Sequence, residues 1–110
     1  MDEETQIDDE TQVLGGNIEL TGFRAVDKPT VVVVKKIVGN YVKRISSVAD
    51  KFEKLSVVLK SVHAQDNNQK YELRAKMMDN GKMYNSDIVD KNLFFALDKV
   101  LTKLEQNIKR

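Results

Sequence analysis

The sequence contains no cysteine, no tryptophan, one proline and one histidine. The lack of cysteine excludes a disulfide framework, a thiolate metal site and a cysteine nucleophile. His63 has no evident nucleophile beside it, so we interpret it as a structural or exposed residue rather than a catalytic base. The chain also lacks a glycine-rich phosphate loop and the spacing of a calcium loop. The sequence therefore predicts neither an enzyme nor a bound cofactor or metal.

Long apolar runs are missing as well. No stretch approaches the roughly 20 apolar residues that a membrane-spanning helix needs. The acidic N-terminus does not have the pattern of a signal peptide. Together with the absence of cysteine, this favours a cytoplasmic protein with no membrane partner.

The formal net charge is only +1, but the charged residues are distributed unevenly along the chain. Residues 1–10 contain six acids and no base, whereas residues 11–110 contain all 18 lysines and arginines and the other 11 acids, a net charge of +7. A basic domain predicts a polyanionic partner such as nucleic acid. We interpret residues 1–16 as a disordered acidic tail and residues 17–110 as one domain. The tail either only solubilises the protein or folds back on the basic surface.

The C-terminal segment has the clearest helical periodicity, and a helix is expected to start near residues 90–92. Its apolar residues recur at steps of three and four and so share one stripe, which consists of Leu93, Leu97, Val100, Leu101, Leu104 and Ile108. Lys99, Lys103 and Arg110 fall on another face, with Gln106 among them. The alternative is an ordinary surface helix with solvated charges.

A helix is also predicted over residues 29–48. Asp27 and Pro29 are typical of a helix start. A run of four valines would suit a strand, but helical spacing persists through the whole segment. The residues that keep this spacing are Val31, Val34, Val38, Tyr41, Ile45 and Val48. Gly39 costs about 1 kcal/mol relative to alanine in a helix and is expected to permit close packing on a sheet.

Four segments have the alternation of strands: residues 17–23, 54–63, 70–78 and 83–88. Asp79-Asn80-Gly81 predicts a tight hairpin between the last two, since Asn and Gly accept a positive φ. The order β-α-β-β-β-α predicts an α+β fold. Its four-stranded sheet would carry both helices on one face and leave the other face in solvent.

Basic residues lie off the apolar stripes of both helices and are the candidate binding residues. They are Lys35, Lys36, Lys43, Arg44, Lys99, Lys103, Lys109 and Arg110. If the helices pack side by side, these residues are expected to merge into one band that binds phosphates without reading bases. The alternative is two independently solvated faces. Phe95 lies opposite Leu97 on the helical projection, and it either tucks under the preceding loop or is exposed for stacking or docking.

The segment NLFFALDKVLTKL resembles the terminal-helix motif of the ribosome hibernation-promoting factor and ribosome-associated inhibitor family. That motif is an acid or amide, a hydrophobe, an aromatic, two small residues and Ile-Asp, with Lys-Leu five residues later. The matching residues are Asn92, Leu93, Phe94, Ala96, Leu97, Asp98, Lys103 and Leu104. Phe95 departs from the motif by replacing a small residue, and Gln106 stands where a base is common.

Shorter similarities lie upstream, so that the resemblance spans about residues 17–110. Leu20-Thr21-Gly22 resembles the Ile-Thr-Gly at the end of the family's first strand. Arg44-Ile45 and Val57-Val58-Leu59 are similar to a helix end in Lys-Leu and a following strand with Val-Val-Leu. Lys35 falls where the family carries a helical arginine.

This resemblance implies a double-stranded-RNA-binding-like fold and a function. The family members bind the small ribosomal subunit and its rRNA in the channel used by mRNA and tRNA, where they block translation and preserve idle ribosomes. By resemblance, this chain is expected to be a short family member that acts in the cytoplasmic stress response, without a cofactor and as a monomer off the ribosome. The alternatives are a general structured-RNA-binding module and a protein-interaction adaptor that docks through Phe95 and the sheet face.

Overall fold

The computed structural model describes residues 11–15, 17–65 and 68–108. The elements in chain order are β1 (Thr11–Val13), β2 (Ile18–Thr21), a short 3-10 helix (Phe23–Ala25), α1 (Lys28–Ile45), β3 (Phe52–Gln65), β4 (Asn68–Asp79), β5 (Lys82–Asp90) and α2 (Leu93–Ile108). The strands form one sheet in the order β1-β2-β3-β4-β5. β2 and β3 pair in parallel, as the crossover through α1 requires, and the other neighbours are antiparallel.

The predicted α+β fold with the order β-α-β-β-β-α is confirmed for β2 to α2. The short edge strand β1 is an addition, because the sequence interpretation placed residues 11–16 in the acidic tail. Thr11–Val13 pairs with β2, with Thr11 opposite Thr21. Three residues are too few to show a strand alternation, so no sequence signal marks this element. Residues 1–10, which carry the acids of the predicted tail, lie outside the described residues.

The hydrophobic core lies between one face of the sheet and the two helices. Alternate residues of the central strands point into it: Leu55, Val57, Leu59, Leu73, Ala75 and Met77 are all buried. The stripe of α2 is buried as predicted, apart from the half-buried Ile108. Neither helix, within the described part of the chain, is long and apolar enough to cross a membrane.

Helix α1 is shorter than predicted. Asp27 occupies the position before the first turn, although its side chain makes no capping hydrogen bond. The helix ends at Ile45 because the hydroxyls of Ser46 and Ser47 donate hydrogen bonds to carbonyls of the last turn. Val48 lies in the turn that follows and is 51% exposed, so its assignment to the buried stripe was wrong.

Two tight turns fix the connections around the sheet. Gly22 follows β2 with a φ of 85°, and a Cβ there would clash with the carbonyl oxygen of Leu59, so only glycine fits. The predicted hairpin between β4 and β5 is confirmed, with positive φ at Asn80 and Gly81. Asp79 is buried, which the hairpin prediction did not anticipate, and it accepts a hydrogen bond of 2.6 Å from the Lys51 amide. This bond connects the hairpin to the start of β3.

Gly39 lies in the middle of α1, and the expectation that it permits close packing on the sheet was wrong. A Cβ at this position would meet nothing within 4 Å. Gly39→Ala should therefore raise the free energy of unfolding by about 0.5–1 kcal/mol, because alanine loses less backbone entropy on folding. Urea denaturation of the two proteins measures this difference. A lower midpoint for the alanine variant would show that the site is tighter than the structure indicates.

Candidate nucleic-acid interface

Helix α1 contains five basic residues and no acidic residue. Lys28, Lys35, Lys36 and Lys43 are exposed and recur at steps of seven and eight, so they share one flank of the helix. We call these four residues the α1 lysine cluster. It extends over about 22 Å along the helix axis, from the rise of about 1.5 Å per residue. Lys28 was missed in the sequence analysis, although its spacing to Lys35 and Lys36 marks it as a member.

The α1 lysine cluster lies on the side of α1 that faces away from α2. The opposite side of α1 borders α2 across a groove, which is lined by Ile37, Asn40, Tyr41, Arg44, Asp98, Leu101 and Thr102. Helix α2 packs on β4 and β5. Since α1 connects the parallel strands β2 and β3, we infer that it covers the part of the sheet nearer to β1. The free flank of α1 is therefore directed toward the β1 edge of the sheet. No ion pair involves the four lysines in the described part of the chain.

Arg44, in contrast, connects the two helices. Its guanidinium donates to the carboxylate of Glu105 at 2.9 Å and lies over the ring of Tyr41, 5.5 Å from the ring centre. Because Glu105 is only 14% exposed in this pair, the interaction is partly shielded from solvent. Arg44 therefore contributes to helix packing and is less available to a partner than the lysines.

The described bases of α2 are also engaged within the protein. Lys99 Nζ donates to the carboxylate of Asp90 at 2.8 Å. This hydrogen bond, with a second from the backbone N–H of Asn92, holds the pKa of the Asp90 carboxyl below its usual range. Lys103 Nζ donates to the carbonyl oxygen of Asp87 at 3.2 Å. Both lysines thus attach α2 to the edge strand β5.

The helices pack side by side, as the band hypothesis required, but the described lysines of the two helices form two separate groups, with Arg44 between them. The α1 lysine cluster faces the β1 edge, and Lys99 and Lys103 face the β5 edge. Asp98 and Glu105 lie in or beside the groove between the helices. A polyanion that followed both groups would cross these two acids. Lys109 and Arg110 lie outside the described residues.

The uncovered sheet face carries charges of both signs. Lys54 pairs with Glu19 at 3.1 Å, and Arg74 lies opposite Asp87 in the β4–β5 register. An open cleft of about 560 Å³ at the β5 edge is lined by Arg74, Lys76, Asn85, Ser86, Asp87, Lys103, Gln106 and Asn107. This face therefore mixes bases with acids, whereas α1 contains no acid.

Phe95 is exposed and does not tuck under the preceding loop, so the second of the two interpretations of this residue holds. Its side chain is 62% exposed, and its backbone N–H donates to Asn92 Oδ1 at 3.0 Å in a helix cap. Val32 and Val33 in the second turn of α1 and Phe94 in the first turn of α2 are also exposed. Of the exposed apolar side chains, Phe95 is the most exposed.

The Tyr41 hydroxyl is buried and makes no hydrogen bond within the described structure. Burial, together with the nearby carboxylate of Glu105, raises the pKa of Tyr41 above its usual range. Tyr41→Phe should leave stability near neutral pH unchanged or raise it slightly, because it removes an unsatisfied buried group without changing the shape of the core. Thermal melting tests this expectation. A loss of more than about 1 kcal/mol would indicate that the hydroxyl has a hydrogen-bond partner in solution.

Metal-binding side chains do not cluster in the described residues. His63 lies in β3, where its backbone pairs with that of Lys70. Among residues 11–15, 17–65 and 68–108, no group of three or more His, Cys, Asp or Glu side chains is placed to hold a metal ion.

Comparison with known proteins gives a likeness of structure and none of sequence. No protein-family model and no curated protein sequence matches the chain. The N-terminal domain of Protein Y from Thermus thermophilus is 19% identical, with a TM-score of 0.53 over 71% of this chain and 81% of that domain. A ribosomal subunit interface protein from Coxiella burnetii is 13% identical, with a TM-score of 0.46 over 66% of this chain and 79% of its own. The chain therefore shares the fold of the Protein Y N-terminal domain.

Proposed function

We propose that this protein binds the small ribosomal subunit through ribosomal RNA, in the channel used by mRNA and tRNA, and so keeps idle ribosomes from translating. Two findings support the proposal. The motifs of the sequence resemble the ribosome hibernation family, and that resemblance implied the β-α-β-β-β-α fold that the structure has. The fold is also that of the Protein Y N-terminal domain.

The observation that carries the proposal is the α1 lysine cluster. A helix with five bases and no acid, four of them exposed along one flank, is a surface on which RNA phosphates gain favourable interactions. The ammonium groups of lysine bind phosphates as point charges and do not read base edges. Recognition of one ribosomal site would then depend on the shape of the rRNA rather than on its local sequence.

The remaining candidate bases take supporting roles in this proposal. Arg44, Lys99 and Lys103 already have partners in the described structure, so RNA must compete for them. Lys109 and Arg110 continue α2 in sequence and would add charge at its end. The protein would act in the cytoplasm, as a monomer off the ribosome, without a cofactor or a catalytic step.

Sedimentation of the purified protein with small ribosomal subunits tests the proposal. We expect it to travel with the subunit at about 50 mM salt and to bind about 10²-fold more weakly at 200 mM, since about four phosphates are neutralised. Addition of free duplex RNA should displace it only at a large excess. Equal affinity for duplex RNA and for subunits would support the general RNA-binding alternative, and absence from the subunit fraction would refute ribosome binding.

The exposed Phe95 favours a second candidate, a protein-interaction adaptor. In that case, binding to the partner would be insensitive to salt and would be lost in Phe95→Ala. Under the ribosome proposal, the same substitution should leave the salt dependence of subunit binding unchanged. The two candidates are therefore separated by one variant measured at two salt concentrations.

A further inference from the structure

The α1 lysine cluster has a candidate occupant within the same chain. Residues 1–10 contain Asp2, Glu3, Glu4, Asp8, Asp9 and Glu10, and no base. The structure shows where this segment joins the domain, because β1 begins at Thr11. We infer that the acidic segment 1–10 docks on the α1 lysine cluster and competes with RNA for it. The docking contact is argued from charge and position alone. The competition with RNA rests on the proposed function.

The point of attachment lies beside the cluster. Thr11 pairs with Thr21 at the end of β2, and the two hydroxyls are 3.1 Å apart. The chain leaves β2 at this same end of the sheet to enter α1, which starts at Lys28. The flank of α1 that carries the cluster faces the β1 edge. The acidic segment therefore joins the domain near the first lysine of the cluster.

The length of the segment is sufficient. Ten extended residues reach about 33 Å, and the α1 lysine cluster extends over about 22 Å. A segment attached at Thr11 can thus reach every lysine of the cluster, including Lys43 in the last turn. A tethered ligand also has an effective concentration in the millimolar range, so weak individual ion pairs are enough for substantial occupancy.

Charge complementarity favours this surface, because α1 contains five bases and no acid. The α1 lysine cluster has four positive charges, and no ion pair opposes them in the described structure. On the uncovered sheet face, Lys54 is paired with Glu19 and Arg74 lies opposite Asp87. Lys99 and Lys103 lie at the β5 edge, on the far side of the sheet from β1.

Paramagnetic labelling tests the contact without any ribosome. The chain has no cysteine, so Thr5→Cys provides one attachment site for a nitroxide in the full-length protein. We expect the amide signals of Lys35, Lys36 and Lys43 to broaden at about 20 mM salt and to recover at about 1 M, where the Debye length is near 3 Å. Unaffected signals, or stronger broadening at Lys60 and Lys76 on the sheet face, would overturn the inference.

A matched pair of labelled variants identifies the surface. Replacement of all four lysines of the cluster by glutamine should abolish the broadening along α1. Replacement of Lys54, Lys60, Arg74 and Lys76 by glutamine removes the same charge from the sheet face and should leave the broadening intact. Equal effects of the two variants would mean that only net charge holds the segment, which would refute a defined docking surface.

Competition is measured with the six acids replaced by asparagine or glutamine in the full-length chain. At about 50 mM salt this variant should bind small subunits roughly 10-fold more tightly than the parent, with no difference at high salt. Unchanged affinity at low salt would refute the competition. If the labelled segment contacts α1 but neither protein binds subunits, the proposed function fails and the docking contact stands. If the subunits bind and the label shows no contact, only this inference fails.

Discussion

Reversal of the α1 lysine cluster should abolish ribosome binding while leaving the fold intact. The variant Lys28→Glu, Lys35→Glu, Lys36→Glu and Lys43→Glu removes four positive charges and adds four negative ones on an exposed helix flank. Removal of each lysine–phosphate interaction should lower the salt slope by about one, and repulsion weakens binding further. We expect affinity for small subunits to fall about 10³-fold or more at low salt. Circular dichroism should remain native, because the four side chains are exposed.

A second reversal on the sheet face is the matched control. Lys54→Glu, Lys60→Glu, Arg74→Glu and Lys76→Glu change the net charge of the protein by the same amount on exposed residues. If α1 faces the RNA, this variant should lose less than about 10-fold in affinity, through long-range repulsion only. A loss as large as that of the α1 variant would show that total charge determines binding. A larger loss would make the sheet face the better candidate.

Leu97→Ala should destabilise the whole domain by about 2–5 kcal/mol. Leu97 is 0% exposed and lies in the stripe of α2 that packs on the sheet. The substitution removes buried apolar surface and leaves a cavity that the surrounding core can only partly fill. Because a domain of this size changes its Tm by about 4–8 °C per kcal/mol, the midpoint should fall by roughly 10 °C or more.

Phe95→Ala provides the comparison on the same helix. Phe95 also loses a large apolar side chain, but it is 62% exposed, so its loss should change stability by no more than about 0.5 kcal/mol. Both variants are measured in one series of thermal melts. Equal melting points for Leu97→Ala and the parent would mean that α2 does not pack on the sheet as described.

Periodicity was sufficient to predict the fold because each long element has one buried side. The stripes of α1 and α2 and the alternation in β3 and β4 all come from the core between sheet and helices. The ends of the helices and strands were harder to predict from the sequence, since they depend on local hydrogen bonds. Helix α1 stops where Ser46 and Ser47 bond back to the last turn, and Val48 falls outside it. The strand β1 is too short for any period to appear.

In the candidate site, too, residue spacing predicted some features, and others depended on contacts that the sequence does not show. A helical projection placed the candidate bases off the apolar stripes, and those within the described residues are exposed, because that placement depends only on residue spacing. It could not show which bases have partners. The pairs Arg44–Glu105 and Lys99–Asp90 join residues far apart in sequence or on different elements. Lys28 was missed because the predicted helix began at residue 29, whereas α1 begins one residue earlier.

A cryo-electron microscopy map of the protein bound to small ribosomal subunits tests the central claim most directly. We expect density for the domain in the channel used by mRNA and tRNA, with Lys28, Lys35, Lys36 and Lys43 on the side nearest the rRNA phosphates. A map in which the uncovered sheet face contacts the RNA while α1 faces solvent would contradict the assignment of the interface. A map of saturated samples with no density for the protein would contradict ribosome binding itself.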